Sequence, residues 1–105
     1  MKYEPNGLPL TDRERELLTI TMEECAEVIQ ACSKLLRFGK ENRPDDGRSN
    51  SQALAAELGD VECMILKLVD AKLVNYDDIT RSAQRKHTRL DFYMQSDPDG
   101  DQTSG

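Results

Sequence analysis

Three observations predict an all-α fold. Apolar residues recur with a 3.6-residue period over three long segments, helix-capping signatures bracket those segments, and no stretch alternates apolar and polar residues as a half-buried strand does. The expected architecture is a helical bundle of three main helices per protomer, completed by homo-oligomerisation. The second half of that expectation comes from composition. The chain has 105 residues, of which 37% are hydrophobic and 5% aromatic, with no tryptophan. That is enough for one domain but lean in core-forming side chains, and such a domain completes its core by pairing with another copy. Residues 1–95 are read as a single domain and 96–105, SDPDGDQTSG, as a polar, disordered tail.

Each element has its own signals. Residues 1–10 carry Pro5, Gly7 and Pro9 and read as an irregular lead-in. Thr11 followed by Glu14 is a capping box, and the apolar period then runs to about Phe38. Gly39 is a natural terminator there, with Lys34 and Arg37 in the last turn complementing the helix dipole. The stretch KENRPDDGRSNS is dense in turn formers and charges and reads as a loop. A second helix is expected from about Ser51 to Leu73, and a third, capped by Asn75 or Asp77, over about 78–93.

Composition also excludes several classes. Twenty acidic residues against 14 basic ones give a formal charge of −6, which opposes binding to a nucleic-acid backbone. Glu62, Lys67 and Asp70 interrupt the longest apolar candidate for a membrane helix, and MKYEPNGLPL lacks the apolar stretch of a signal peptide. The expectation is a soluble, cytoplasmic protein with no membrane partner. Cys25, Cys32 and Cys63 are odd in number and sit within helices, so they form no disulfide framework; Cys25 and Cys32 read as small buried hydrophobes. A single histidine, His87, leaves zinc without ligands. Gln84 stands where a Glu-x-x-His di-iron motif needs its glutamate, and no GxxxxGK[ST] phosphate loop is present.

The informative residues are charges placed where apolar side chains belong. On a wheel of about 100° per residue with Leu17 at zero, the first helix has an apolar arc from about 300° round to 120°. It holds Leu17, Leu18, Ile20, Cys25, Val28, Ile29, Ala31, Cys32, Leu35, Leu36 and Phe38. Glu24 falls inside that arc, Glu27 at its edge and Glu23 just outside. In the second helix Glu57 points into the face made by Leu54, Leu58, Val61, Met64, Ile65, Leu68 and Val69, with Asp60 at its margin. Lys86 falls within the stripe of Ile79, Ala83, Leu90 and Tyr93 on the third helix, and Arg89 borders it. Carboxylates are rarely buried unless paired or metal-bound. Two acid pairs at i,i+3 spacing can each grip one ion, and antiparallel packing of their helices brings all four together. An all-oxygen donor set suits Mg²⁺, with Mn²⁺ as a substitute. The plain structural alternative is that Lys34, Lys67 or Lys86 satisfies these acids as ion pairs.

Glu23-Glu24-Cys25-Ala26-Glu27, followed by Glu57-Leu58-Gly59-Asp60, is similar to the EExxE…ExxD pattern of MazG-like nucleoside triphosphate pyrophosphohydrolases, members of the all-α NTP pyrophosphatase superfamily. MEECAEVIQACSKLLRFG resembles the first metal-binding helix of the short members, and ELGDVECMILKL the second. The resemblance spans about residues 17–72 well and 78–90 loosely. It implies a protomer that forms a homodimer or homotetramer, Mg²⁺ held by Glu24, Glu27, Glu57 and Asp60 as catalytic metal ligands, and Glu23 as an outer acid. It further implies a nucleoside or deoxynucleoside triphosphate substrate, cleaved between the α and β phosphates to the monophosphate and pyrophosphate, in a house-cleaning or pool-regulating role.

The family's basic motif on the following helix is matched by Lys86 and Arg89, without its Asn. Those two and Lys34 are the candidate phosphate contacts, and Glu27 the candidate to take a proton from water. HisE-type phosphoribosyl-ATP pyrophosphohydrolases share the acidic scaffold, but the Tyr-His feature after Asp60 is missing. A non-enzymatic reading stands beside these: a helical dimer that binds a nucleotide or a protein partner. Arg37, Lys40, Arg43 and Arg48 read as helix-end and loop charges. Gly59, in mid-helix, is either tolerated or permits close approach of a facing helix. Tyr76, Phe92 and Tyr93 read as packing residues.

Overall fold

The computed structural model describes residues 9–41 and 47–96. Arg43, most of the lead-in and the tail from residue 97 lie outside the described residues. The described chain forms α1 (Asp12–Phe38), α2 (Asn50–Asp70) and α3 (Tyr76–Tyr93), with no strand among the described residues. It divides into two compact units, one ending at Leu73 and holding α1 and α2, the other beginning at Val74 and holding α3.

The helices start where side chains satisfy the orphan amides. Thr11 Oγ1 accepts from the Glu14 N–H at 3.1 Å while Glu14 Oε1 accepts from the Thr11 N–H at 2.8 Å. The same reciprocal box opens α2, between Ser49 and Gln52 at 3.1 and 2.9 Å. Asn75, rather than Asp77, caps α3 through the Asp78 N–H at 3.2 Å. The capped start of α2 is one residue earlier than the period alone suggests, because the Ser-x-x-Gln signature at Ser49 sets it.

In the first unit α1 and α2 pack as an antiparallel hairpin. The apolar core lies at the end where α1 begins and α2 finishes: Leu17, Met64 and Leu68 are buried, with Leu18, Ile20, Ala71 and Leu73 packed against them. At the loop end Ala31, Ser49 and Asn50 are buried, and the Asn50 side-chain amide donates to the Gly39 carbonyl at 3.0 Å. Gly39 ends α1 with φ +83°, a conformation that favours glycine, and its N–H returns to the Leu35 carbonyl. No atom lies within 4 Å of where a Cβ on Gly59 would stand, so nothing in the protomer requires a glycine there.

Two expectations are corrected. The second helix stops at Asp70, three residues before Leu73. Lys72 adopts φ +61°, its N–H bonds to the Val69 carbonyl, and the Leu73 N–H bonds to that of Leu68. This is a Schellman stop, sealed by Leu73 against the core that includes Leu68. It lacks the glycine that usually announces it.

Cys25 and Cys32 are exposed, not buried, as is Cys63. The apolar arc of α1 is wider than one partner helix can cover. The half near Leu17, Glu24, Val28 and Ala31 meets α2, whereas Met22, Cys25, Ile29, Cys32 and Leu36 are left exposed, Leu36 at 89%.

A lysine held in the left-handed region is strained relative to glycine, by about 1–2 kcal/mol, partly offset by glycine's greater loss of entropy on folding. Lys72→Gly is therefore expected to stabilise the protein by roughly 0.5–1 kcal/mol. Denaturant titration followed by circular dichroism checks it; an unchanged midpoint refutes strain at this stop.

Candidate functional site

Between the apolar end and the loop end, the hairpin interface is acidic. Residue numbers descend on α2 as they ascend on α1, so the register that seats Leu17 beside Leu68 and Ala31 near Ala53 also sets the Glu24/Glu27 pair against the Glu57/Asp60 pair. One carboxylate oxygen from each of the four lies within 4.8 Å of every other. The inner acid of each pair, Glu24 and Glu57, is half-buried, and the outer acid, Glu27 and Asp60, is exposed. That ordering follows from the helical wheel, on which the inner acids sit within the apolar arc and the outer ones at its margin.

Both inner acids are hard to ionise. Shielding from water raises the pKa of Glu24 above its ordinary 4.5, and the charges of Asp60 and Glu27, a hydrogen bond shared with Asp60, and the charge of the adjacent Glu23 raise it further. Glu57 is raised first by a hydrogen bond shared with Glu27, then by shielding, then by the charges of Glu27, Asp60 and Glu24. Glu24 Oε2 and Glu57 Oε2 are each cut off from solvent with no hydrogen-bond donor. Among the described residues Lys34 and Lys67 form no ion pair with the cluster; on α3, Arg81 pairs with Asp78. Ion pairing with Lys34 or Lys67 therefore does not account for these acids.

Four carboxylates with two orphaned oxygens fit a hard divalent cation, which would supply the missing partners, and oxygen-only sites suit Mg²⁺ or Mn²⁺ over zinc. Glu24, Glu27, Glu57 and Asp60 are the residues that would hold it.

A cleft of about 240 Å³ runs from the cluster towards the loop end, lined by Glu27, Gln30, Ala31, Lys34, Arg48, Asn50, Ala53 and Glu57. Lys34, expected to contact phosphate, is thus beside the acids. Lys86 and Arg89 lie exposed on α3, in the second unit. Glu23 is exposed and acts on the site through its charge on Glu24.

Sequence reasoning missed Gln30, Asn50 and Arg48 as lining residues. The first two were within reach: Gln30 and Lys34 follow Glu27 by three and seven, Asn50 and Ala53 precede Glu57 by seven and four, and the pairing that joins the acids carries them along. Arg48 lies before the helix, where no periodicity applies.

No family model, no curated protein and no solved structure matches the chain.

The shifted acids set a pH dependence. The folded state binds protons on Glu24 and Glu57 more tightly than the unfolded chain does, so their contribution to stability is largest at and below the unfolded pKa and falls as pH rises through the raised folded values. The metal-free protein is expected to melt at a higher temperature near pH 5 than at pH 7. Glu24→Gln and Glu57→Gln should each raise the pH 7 melting temperature and flatten the slope. Thermal melts in EDTA across that range check this, and a slope identical in wild type and variants refutes it.

Proposed function

We propose that the protein is a Mg²⁺-dependent nucleoside triphosphate pyrophosphohydrolase, similar to the MazG-like enzymes, and acts as a homo-oligomer. One observation carries the reading: two i,i+3 acid pairs from antiparallel helices meet within 4.8 Å, with Glu24 Oε2 and Glu57 Oε2 shielded and without a hydrogen-bond partner. The spacing EExxE…ExxD of the same residues supports the family likeness. HisE-type phosphoribosyl-ATP cleavage lacks its Tyr-His signature and stands second.

Hydrolysis adds one water across the α–β anhydride, yielding the nucleoside monophosphate and pyrophosphate. When bound, Mg²⁺ supplies charge neutralisation at the phosphate oxygens and acidifies water. The chain contributes the rest. Glu24 and Glu57, half-buried, are fixed as ligands by the packing on either side of them. Glu27, exposed and next to Glu57, takes the proton from water. Lys34 pairs with phosphate oxygens from the cleft wall. Lys86 and Arg89 are proposed as further phosphate contacts.

Oligomerisation rests on the uncovered half of α1. Leu18, Met22, Cys25, Ile29, Cys32 and Leu36 follow one another at steps of four, three, four, three and four, the a/d seam of a helix that packs against another. Leu18 is half-buried and the other five are exposed, Met22 at 72% and Ile29 at 70%. A second copy, as dimer or tetramer, is proposed to cover this seam.

Pyrophosphate release from a panel of NTPs and dNTPs is expected with Mg²⁺ and not with EDTA. Glu24→Gln and Glu57→Gln should lower kcat at least about a hundredfold with the helical circular-dichroism signal intact. Orthophosphate as product breaks the proposed bond assignment. Silence from the folded protein promotes the non-enzymatic helical dimer instead. For the oligomer, Ile29→Asp should shift sedimentation to the monomer; a wild type already monomeric at micromolar concentration refutes the seam.

A further inference from the structure

The exposed seam of α1 also carries the direction in which two copies meet. Leu18, Met22, Cys25, Ile29, Cys32 and Leu36 have the same spacing read from either end, so the seam can face a second copy in parallel or antiparallel order. The two orders stack different side chains. In the parallel order each residue meets itself, so Met22 and Ile29 form crowded layers and Cys25 and Cys32 form hollow ones between them. In the antiparallel order that engages all six, Leu18 meets the partner's Leu36, Met22 the partner's Cys32 and Cys25 the partner's Ile29. Each inner layer then joins one long side chain to one short one, which is how facing helices reach even packing density.

Charge points the same way. From Asp12 to Glu27, α1 carries six acids against two arginines, whereas from Val28 to Phe38 it carries Lys34 and Arg37 and no acid. Antiparallel pairing lays the acidic half of each copy along the basic half of the other and brings Arg37 and Lys40 level with the turns that hold Glu14 and Glu16. Parallel pairing sets like beside like and aligns the two helix dipoles. The positions flanking the seam are Thr19, Ala26 and Ser33 on one side and Thr21, Val28 and Leu35 on the other, so no charge beside it opposes the antiparallel order. Arg37, Lys40 and Glu16 are exposed, so they choose between the orders more than they add affinity.

We infer that two copies pair through α1 in antiparallel order, about a two-fold axis level with Glu27, with Met22 packed on the partner's Cys32 and Cys25 on the partner's Ile29. The inference rests on the proposed self-association and adds its geometry. The seam is used up on both copies at once, so this surface makes a closed dimer, and a tetramer needs a different one. The arrangement also separates thiols. About ten residues of helix, or about 15 Å along the axis, lie between the two Cys32 levels. That is too far for a disulfide, whose Cα atoms are roughly 4.4–6.8 Å apart. In the parallel order the same two thiols stand opposite one another.

Disulfide trapping in the full chain tests this. Cys25→Ala with Cys63→Ser leaves Cys32 as the one thiol, and adding Met22→Cys gives it a partner across the seam. Mild oxidation is expected to leave the first variant at the collision background, set by a variant that retains only the exposed Cys63, and to link the second at least about tenfold more. Cleavage at Glu23, Glu24 and Glu27 separates the two positions, and the trapped bond is expected to join residue 22 to Cys32. Sedimentation of the reduced variants verifies that they still pair. A second measurement leaves the packing on Met22 untouched: a spin label on Arg37→Cys, beside the seam, in a chain freed of its other thiols. The two labels are expected about 30 Å apart along the axis.

Efficient linkage through Cys32 alone, or labels on one level, overturns the antiparallel order and leaves self-association standing. A second variant that sediments as a dimer and does not link also overturns it. A wild type that is monomeric at micromolar concentration overturns the inference together with the seam. Hydrolysis is read separately, by pyrophosphate release, and none of these outcomes is confused with its failure.

Discussion

The hairpin is organised around like charges that repel at its centre. Four carboxylate oxygens within 4.8 Å of one another occupy turns of α1 and α2 where an ordinary helical pair would place leucine or valine. The two helices are held together despite this, by apolar packing of Leu17, Met64 and Leu68 at one end and by the buried Asn50 amide on the Gly39 carbonyl at the other. In the metal-free protein this repulsion and the shielding from water raise the pKa of Glu24 and Glu57, and a divalent cation would relieve the repulsion and also provide partners for the two orphaned oxygens.

Local chemistry made most of the fold legible. The Thr11 box and Gly39 terminator bound α1 within a residue, because both act through hydrogen bonds to immediate neighbours. The stop of α2 was not legible in the same way. Its left-handed residue is Lys72, and Lys72 is tolerated there because Leu73 is drawn onto the core around Leu68, a tertiary contact that no local pattern contains. The cysteines fail for a related reason. A wheel reports that Cys25 and Cys32 lie on an apolar arc; which half of that arc α2 covers depends on the register of the two helices, and the covered half excludes them.

The acid cluster was legible because helical spacing and antiparallel pairing are both low-dimensional. Once Glu24 and Glu57 are placed on facing stripes, a single register brings their i,i+3 companions along. The cleft beyond them was legible only in part. Lys34, Gln30 and Ala53 ride the same register, whereas Arg48 reaches the cleft from the residue before the Ser49 cap, where the backbone leaves the helix and periodicity ends. Site residues contributed by such edges escape pattern reading, since their position is set by how the chain enters an element.

Why keep half-buried acids at the cost of a weaker interface? Replacing charged groups in an interior with apolar ones of similar shape is commonly neutral or stabilising, so stability alone gives no reason to retain Glu24 and Glu57. The division of labour on α1 gives one. Its α2-facing seam carries the acids, and its second seam, from Leu18 to Leu36, carries apolar residues at uninterrupted coiled-coil steps. Packing energy forgone on the first seam would be recovered on the second if, as proposed, a second copy covers it. A helix with one apolar face would have had to choose between a stable interface and a charged site. With an arc near half its circumference, α1 has room for both, and the local inconsistency of a glutamate among leucines marks the place where the proposed site overrides packing.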